Sequence, residues 1–265
     1  MNTIPKIIHY CWFGTNKMSA LQLMCLETWK LHLPDYELRL WNEINVDLSH
    51  PFINFAYKNK KWAYVSDYVR LKALFDYGGV YLDTDMYFLK KLEDDLLQKE
   101  CFFGAEDEQK ISGGIIGAKR GNLFIKQCMQ NYEIQTPADW QLRFSIPRII
   151  TNEFNKLIGR KTIYDKIQEI DNLIIYPAEY FYPLPFEIDR PFSNKFKNWA
   201  TEKTIAIHLW DGSWMELSVF QLLRKRKFLE FLKLFFKTFY KKENLNFQFY
   251  RKLSSAFVQS LLRKK

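Results

Sequence analysis

Apolar and polar positions alternate along the chain with two different periods. Ile4–Trp12 is a run of β-branched and aromatic residues closed by Phe13-Gly14, which predicts a first strand. Leu21–Leu33 carries apolar residues at helical spacing and stops at Pro34, and Tyr36–Trp41 returns to a period of two. Lys61–Tyr77 predicts a long helix, ended by Gly78-Gly79 where the exit needs a positive φ. Val80–Leu82 is then a short buried strand that runs straight into Asp83-Thr84-Asp85. Cys101–Ala105, Ile115–Ala118, Leu173–Tyr176 and Thr204–Leu209 predict further strands, and Leu123–Tyr132 and Asp139–Leu157 predict helices. Strands alternating with helices point to an α/β domain with a mostly parallel central sheet. No internal repeat or low-complexity linker interrupts the pattern.

Composition changes this picture at the C-terminal end. Of 265 residues, 48% are hydrophobic and 17% aromatic, which excludes a disordered chain. The formal net charge of +9 is unevenly spread: residues 221–265 hold 13 Lys and Arg against Glu230 and Glu243, whereas residues 1–220 hold 26 against 28 acidic residues. We therefore expect a near-neutral domain over 1–220 and a basic amphipathic helical tail over 221–265. Charges at Arg226, Glu230, Lys233, Lys237 and Lys241 recur every three or four residues, a narrow polar stripe on a wide apolar helix. Such a helix either covers the domain or lies in an anionic membrane interface. The tail is too apolar for nucleic acid to be the expected partner. Cys11, Cys25, Cys101 and Cys128 show no metal-binding spacing and read as reduced thiols in a cytoplasmic protein. The start of the sequence lacks the layout of a signal peptide, and no stretch approaches the roughly 20 apolar residues of a membrane span. The expected location is cytoplasmic, peripheral on the inner face of the plasma membrane.

The chemistry is concentrated near Asp83 and Asp85, just past the carboxyl end of an apolar strand, where open α/β sheets bind ligands. On an extended segment, residues i and i+2 point the same way, so both carboxylates can face one cation. Two hard oxygen donors suit Mg²⁺ or Mn²⁺, which then bridge phosphates; the other reading is a solvated acidic turn. On the preceding helix, Asp67 and Arg70 lie three residues apart amid apolar neighbours, a partly buried pair suited to binding polar ligand groups. His9 follows strand alternation and reads as structural. Glu106 and Asp107, after the strand Cys101–Ala105, are candidates for the acceptor side of a cleft.

Ile4 through Gly14, Pro34-Asp35-Tyr36-Glu37, Trp41-Asn42, Ser66-Asp67-Tyr68-Val69-Arg70 and Gly78 through Asp85 resemble glycosyltransferase family 32 over residues 4–216. The same blocks are similar to the catalytic domain of the clostridial glucosylating toxins. The resemblance implies a GT-A fold, a nucleotide-sugar donor, Mn²⁺ or Mg²⁺, and retention of anomeric configuration. It also implies roles: Trp12 stacking on the base, Asp67 and Arg70 on donor-sugar hydroxyls, Asp83 on ribose and sugar or the metal through water, and Asp85 on the metal. Ile207 through Trp214 resembles the family's closing segment, which makes His208 a third metal ligand and places Ser213 and Trp214 near the diphosphate. Related transferases often carry an Asn near the position of Ser112-Gly113-Gly114-Ile115; none is present here, so that donor contact is not carried over.

The function expected from these features is metal-dependent, retaining transfer of a hexose from a nucleotide sugar, UDP-linked by preference, to a lipid-linked, capsular or lipopolysaccharide-type acceptor. Alternatives are a GDP-mannose-dependent mannosyltransferase, a phosphatase of the haloacid dehalogenase type, and a non-catalytic membrane adaptor.

Overall fold

The computed structural model describes residues 3–133, 145–186, 194–212, 218–224, 226–240 and 247–262. In chain order the first elements are β1 (Ile7–Cys11), α1 (Ala20–His32), β2 (Glu37–Trp41), α2 (Pro51–Lys58), α3 (Trp62–Tyr77), β3 (Gly79–Leu82), β4 (Met86–Phe88) and α4 (Asp94–Gln98). They are followed by β5 (Cys101–Asp107), β6 (Lys110–Ala118), α5 (Leu123–Glu133), α6 (Ile146–Ile158), β7 (Gln168–Ile170), β8 (Leu173–Tyr176), α7 (Ala178–Phe181) and β9 (Ala206–His208). The helices α8 (Val219–Arg224), α9 (Phe228–Tyr240) and α10 (Phe247–Leu262) come last.

Seven strands form one sheet in the order β2-β1-β3-β6-β5-β8-β7. The pairings run β1, β2, β3, β5 and β8 one way and β6 and β7 the other, so the sheet is mostly parallel, as expected. Successive residues alternate between its faces. Tyr81, Phe103 and Ile116 enter one apolar layer with Val65 and Leu71 of α3 and Phe154 of α6. Val80, Phe102 and Ile115 enter the other with Trp29 of α1 and Phe181 of α7. Burial on both faces is why the inner strands read as continuous apolar runs. β4 and β9 form a separate antiparallel ribbon in which Met86 pairs with His208.

Several elements differ from the sequence reading. The helix expected over Asp139–Leu157 is described from Ile146 to Ile158, and residues 139–144 lie outside the described residues. α2 was not foreseen; it opens on Pro51 at its first turn and buries Phe52, Ile53 and Ala56. β6 begins at Lys110, five residues before the expected start.

The chain divides into two compact units, one of residues 1–186 and 194–211 and the other of residues 187–193 and 212–265. The expected boundary after residue 220 lies inside α8. In the second unit, Arg224 Nε donates to Gln259 Oε1 (2.8 Å) and Arg226 Nε to the Ser260 carbonyl (2.8 Å). Phe235 of α9 stacks on Phe249 of α10. No described helix is long and apolar enough to cross a membrane.

Candidate active site at the end of the third strand

Helix α3 and strand β3 are joined by Gly78 and Gly79, whose φ values of +67° and +110° suit glycine alone. This turn sends β3 back beside β1 and delivers Asp83 to the carboxyl edge of the sheet. Asp83-Thr84-Asp85 is not extended there. The Met86 amide donates to the Asp83 carbonyl (3.0 Å), closing a tight turn between β3 and β4. The two carboxylates converge all the same, because β4 pairs with β9 and brings His208 between them. One ligand atom each from Asp83, Asp85 and His208 lies within 4.8 Å of the others. His208 Nε2 is 3.0 Å from Asp85 Oδ1 and 3.8 Å from Asp83 Oδ2.

The Asp67/Arg70 pair lies beneath this centre, each residue only 5% exposed. Arg70 Nη2 meets Asp67 Oδ1 at 3.0 Å, and Nη1 meets Asp83 Oδ1 at 3.2 Å and the Gly113 carbonyl at 2.6 Å. The guanidinium also lies over the Tyr81 ring, whose hydroxyl donates to Asp83 Oδ1 (3.0 Å). Asp67 Oδ2 accepts from the Ile146 amide (3.3 Å) at the start of α6. Through these contacts the two residues hold Asp83 and the start of α6. The exposed intrahelical pair that their spacing alone would allow is not what forms.

Strand β6 supplies the wall. Between Phe103 and Ala105 its register with β5 slips, and Ser112-Gly113-Gly114 leave that ladder. The freed Gly113 carbonyl turns to Arg70, and the Gly114 carbonyl accepts from the Asp83 amide (2.8 Å). A Cβ at residue 113 would fall 2.4 Å from Ile146 Cγ2, and one at residue 114 would fall 3.0 Å from Asp83 Oδ2. A second slip, between Ala105 and Asp107, leaves Glu106 as the unpaired residue of β5.

Electrostatics follow from burial and pairing. Burial pushes the Asp67 carboxyl up to about 7, with Arg70 pulling the other way. For Asp85 burial would also raise the carboxyl, but the adjacent His208 imidazole overrides it and holds the group below the usual range. For His208 burial would lower the imidazole, and Asp85 raises it instead. Glu106 is raised by burial. His9 is buried and bridges the Gly78 carbonyl (Nε2, 2.8 Å) and the Trp41 indole N–H (Nδ1, 3.1 Å). That arrangement fixes one neutral tautomer, and burial lowers the ring to about 4.

Two carboxylates and an imidazole are a donor set that can hold a divalent cation; the carboxylate oxygens suit Mn²⁺ or Mg²⁺, and the imidazole suits a transition-metal ion better than Mg²⁺. Trp12 follows β1 at the same sheet edge, half-buried, with its indole N–H on the Asn16 carbonyl (2.7 Å). Ser213 and Trp214 lie outside the described residues. Sequence reasoning missed Gln22, Tyr81, Asp211 and the two β6 carbonyls. Of these, the Gly-Gly pair in a strand and the Ser19-x-x-Gln22 capping pattern were visible signals.

Paired carboxylates and an imidazole thus converge at the end of the sheet, and comparison with known proteins shows what the chain resembles. The model described as "Glycosyltransferase sugar-binding region containing DXD motif" matches residues 19–103, which include Asp67, Arg70, Asp83 and Asp85. The "Alpha 1,4-glycosyltransferase conserved region" matches residues 117–222, which include His208. Both matched models describe glycosyltransferases, and between them they take in Asp83, Asp85 and His208, in line with the resemblance to family 32. It is 25% identical over 154 residues to lactosylceramide 4-alpha-galactosyltransferase of Mus musculus, spanning 56% of this chain and 40% of the relative. It is 32% identical over 137 residues to inositol phosphoceramide mannosyltransferase 3 of Schizosaccharomyces pombe, spanning 48% of this chain and 37% of that one. The chain therefore matches well under half the length of these two relatives. The solved PaToxG glycosyltransferase aligns with a TM-score of 0.48 at 18% identity, covering 60% of this chain and 70% of that one.

Proposed function

We propose that the protein transfers a hexose, with retention, from a nucleotide sugar to a lipid-linked or surface-glycan acceptor. UDP is the preferred nucleotide and Mn²⁺ or Mg²⁺ the cofactor. The observation that carries this reading is the convergence of Asp83, Asp85 and His208 at the sheet edge. In this reading Asp85 and His208 hold the cation, with Asp83 in contact directly or through water. A bound divalent cation supplies charge neutralisation for the departing nucleoside diphosphate. The residues of the chain do the positioning. Arg70 fixes Asp83, and Asp67 with Arg70 orients the sugar hydroxyls. The carboxylates favour the oxocarbenium-like anomeric carbon as the bond breaks. Trp12 would pack on the base, and Ser213 and Trp214 would approach the diphosphate.

Two relatives named above have ceramide lipids in their names, which supports a lipid-linked acceptor here. Both the apolar surface and the positive charge of α9 and α10 fit docking on an anionic membrane. A capsular or lipopolysaccharide-type glycan built at the inner face of the plasma membrane would suit such an enzyme. A GDP-mannose donor is the second reading, favoured by the mannosyltransferase relative.

A thermal-shift screen of UDP- and GDP-sugars with and without Mn²⁺ tests this. At a hundredfold excess over Kd the matching donor should raise Tm by about 5–10 °C, and only with the metal present. Silence across the panel would overturn the donor and metal assignment.

A further inference from the structure

Behind the candidate metal ligands runs a chain of contacts that the function above does not use. Gln22 is the third residue of α1 and is only 1% exposed. Its Oε1 accepts from the Ser19 amide (2.7 Å), completing the helix cap. Its Nε2 donates to Asp211 Oδ2 at 2.6 Å, across 189 positions of sequence. The Asp211 amide in turn donates to Asp85 Oδ2 at 2.8 Å. Both polar ends of a buried Gln are therefore spent on linking the start of a helix to the residue behind Asp85.

The residue between His208 and Asp211 that makes this reach possible is Trp210. Its φ of +53° is left-handed, a conformation that is strained for a bulky residue and persists only where surroundings enforce it. The enforcing contacts are present. Its indole N–H donates to the Leu184 carbonyl (2.6 Å), and its ring meets the His208 ring edge-on with centroids 4.1 Å apart. The left-handed turn reverses the chain directly after β9, and this aims the next amide at Asp85.

We propose that Gln22 and Trp210 are positioning residues for the Asp83/Asp85/His208 centre: Gln22 anchors Asp211, and Trp210 both turns the Asp211 amide onto Asp85 and backs the His208 ring. The proposal rests on the metal-binding reading above. Groups that orient ligands in this way change metal affinity by about 10- to 100-fold when removed.

The test is Mn²⁺ binding to the full-length protein without donor, read as free Mn²⁺ by electron paramagnetic resonance, with thermal denaturation in chelator alongside. Gln22→Glu keeps the cap acceptor, because Glu serves a capping box as Gln does, but sets a carboxylate against Asp211. It should weaken Mn²⁺ binding tenfold or more. The double variant Gln22→Glu/Asp211→Asn exchanges donor and acceptor, rebuilds the bond, and should return affinity to within about threefold of the original. Trp210→Phe, which loses the bond to Leu184, is the second variant if Gln22→Glu does not fold, and should weaken binding several-fold. Unchanged Mn²⁺ affinity in a folded Gln22→Glu or Trp210→Phe protein overturns the proposal, as does a double variant no tighter than Gln22→Glu alone. Absence of Mn²⁺ binding in the unsubstituted protein would instead remove the metal reading itself.

Discussion

Arg70 is the residue on which the site is hung. It sits between two carboxylates, a carbonyl and an aromatic face, in a position almost without solvent. Removing one partner from such a buried group leaves uncompensated charge. Arg70→Ala should therefore cost about 3–5 kcal/mol in denaturant-measured stability and also abolish donor turnover. Asp85→Asn, by contrast, should fold normally and lose metal-dependent donor hydrolysis. His9 makes a separate prediction in pH. With a folded value near 4 against about 6.5 when unfolded, the unfolded chain takes up a proton that the folded chain refuses between those limits. Its contribution is intact above about pH 6.5 and falls by about 3 kcal/mol as pH drops to 4, levelling below. His9→Gln, which can keep both hydrogen bonds, should flatten that part of the stability curve. At this scale Asp67, Arg70, Asp83 and Asp85 were legible because the sequence alone places them on one helix face or at one strand end. Gln22 and Asp211 were not, since their meaning appears only when positions 189 apart are brought together.

Elements explain why the site has its shape. β6 is registered with β3 along Gly79–Leu82 but breaks from β5 where Ser112-Gly113-Gly114 must face Arg70 and Asp83. Glycine at position 113 is dictated by the start of α6, which sits where a Cβ would go. Gly113→Ala should displace Ile146, loosen its amide from Asp67, and destabilise the protein by about 1–3 kcal/mol through overpacking. A chemical denaturation curve measures this directly. The long helices α1 and α3 and the short strands β2 and β8 could be read in advance, because amphipathic or apolar runs fix them locally. β4 and β7, at three residues each, carry too little pattern to register alone; pairing with β9 and β8 makes them strands. α2 is rich in aromatic residues of middling helix propensity and is stabilised by burying Phe52, Ile53 and Ala56.

At the scale of the whole molecule, the charge that looked like a global property belongs to the end of the chain. α9 and α10 leave Phe228, Leu229, Phe236, Phe239, Phe257 and Leu261 exposed beside lysines and arginines. If this surface meets anionic lipid, replacing Lys233 and Lys237 by Gln should weaken co-sedimentation with phosphatidylserine vesicles by roughly 30-fold, from about 1 kcal/mol per charge. Donor hydrolysis in solution should be unaffected. Equal sedimentation of both proteins would refute membrane docking through these lysines.

The ribbon that joins β4 to β9 also sets when the candidate centre can first form. Asp85 and the Asp211 amide that holds it are 126 positions apart. At roughly 5–20 residues per second, a ribosome needs on the order of ten seconds to make the intervening chain. Throughout that interval the acidic turn exists without its imidazole. A nascent chain halted before β9 should neither retain Mn²⁺ nor consume donor, because the candidate centre cannot form until His208 has been made.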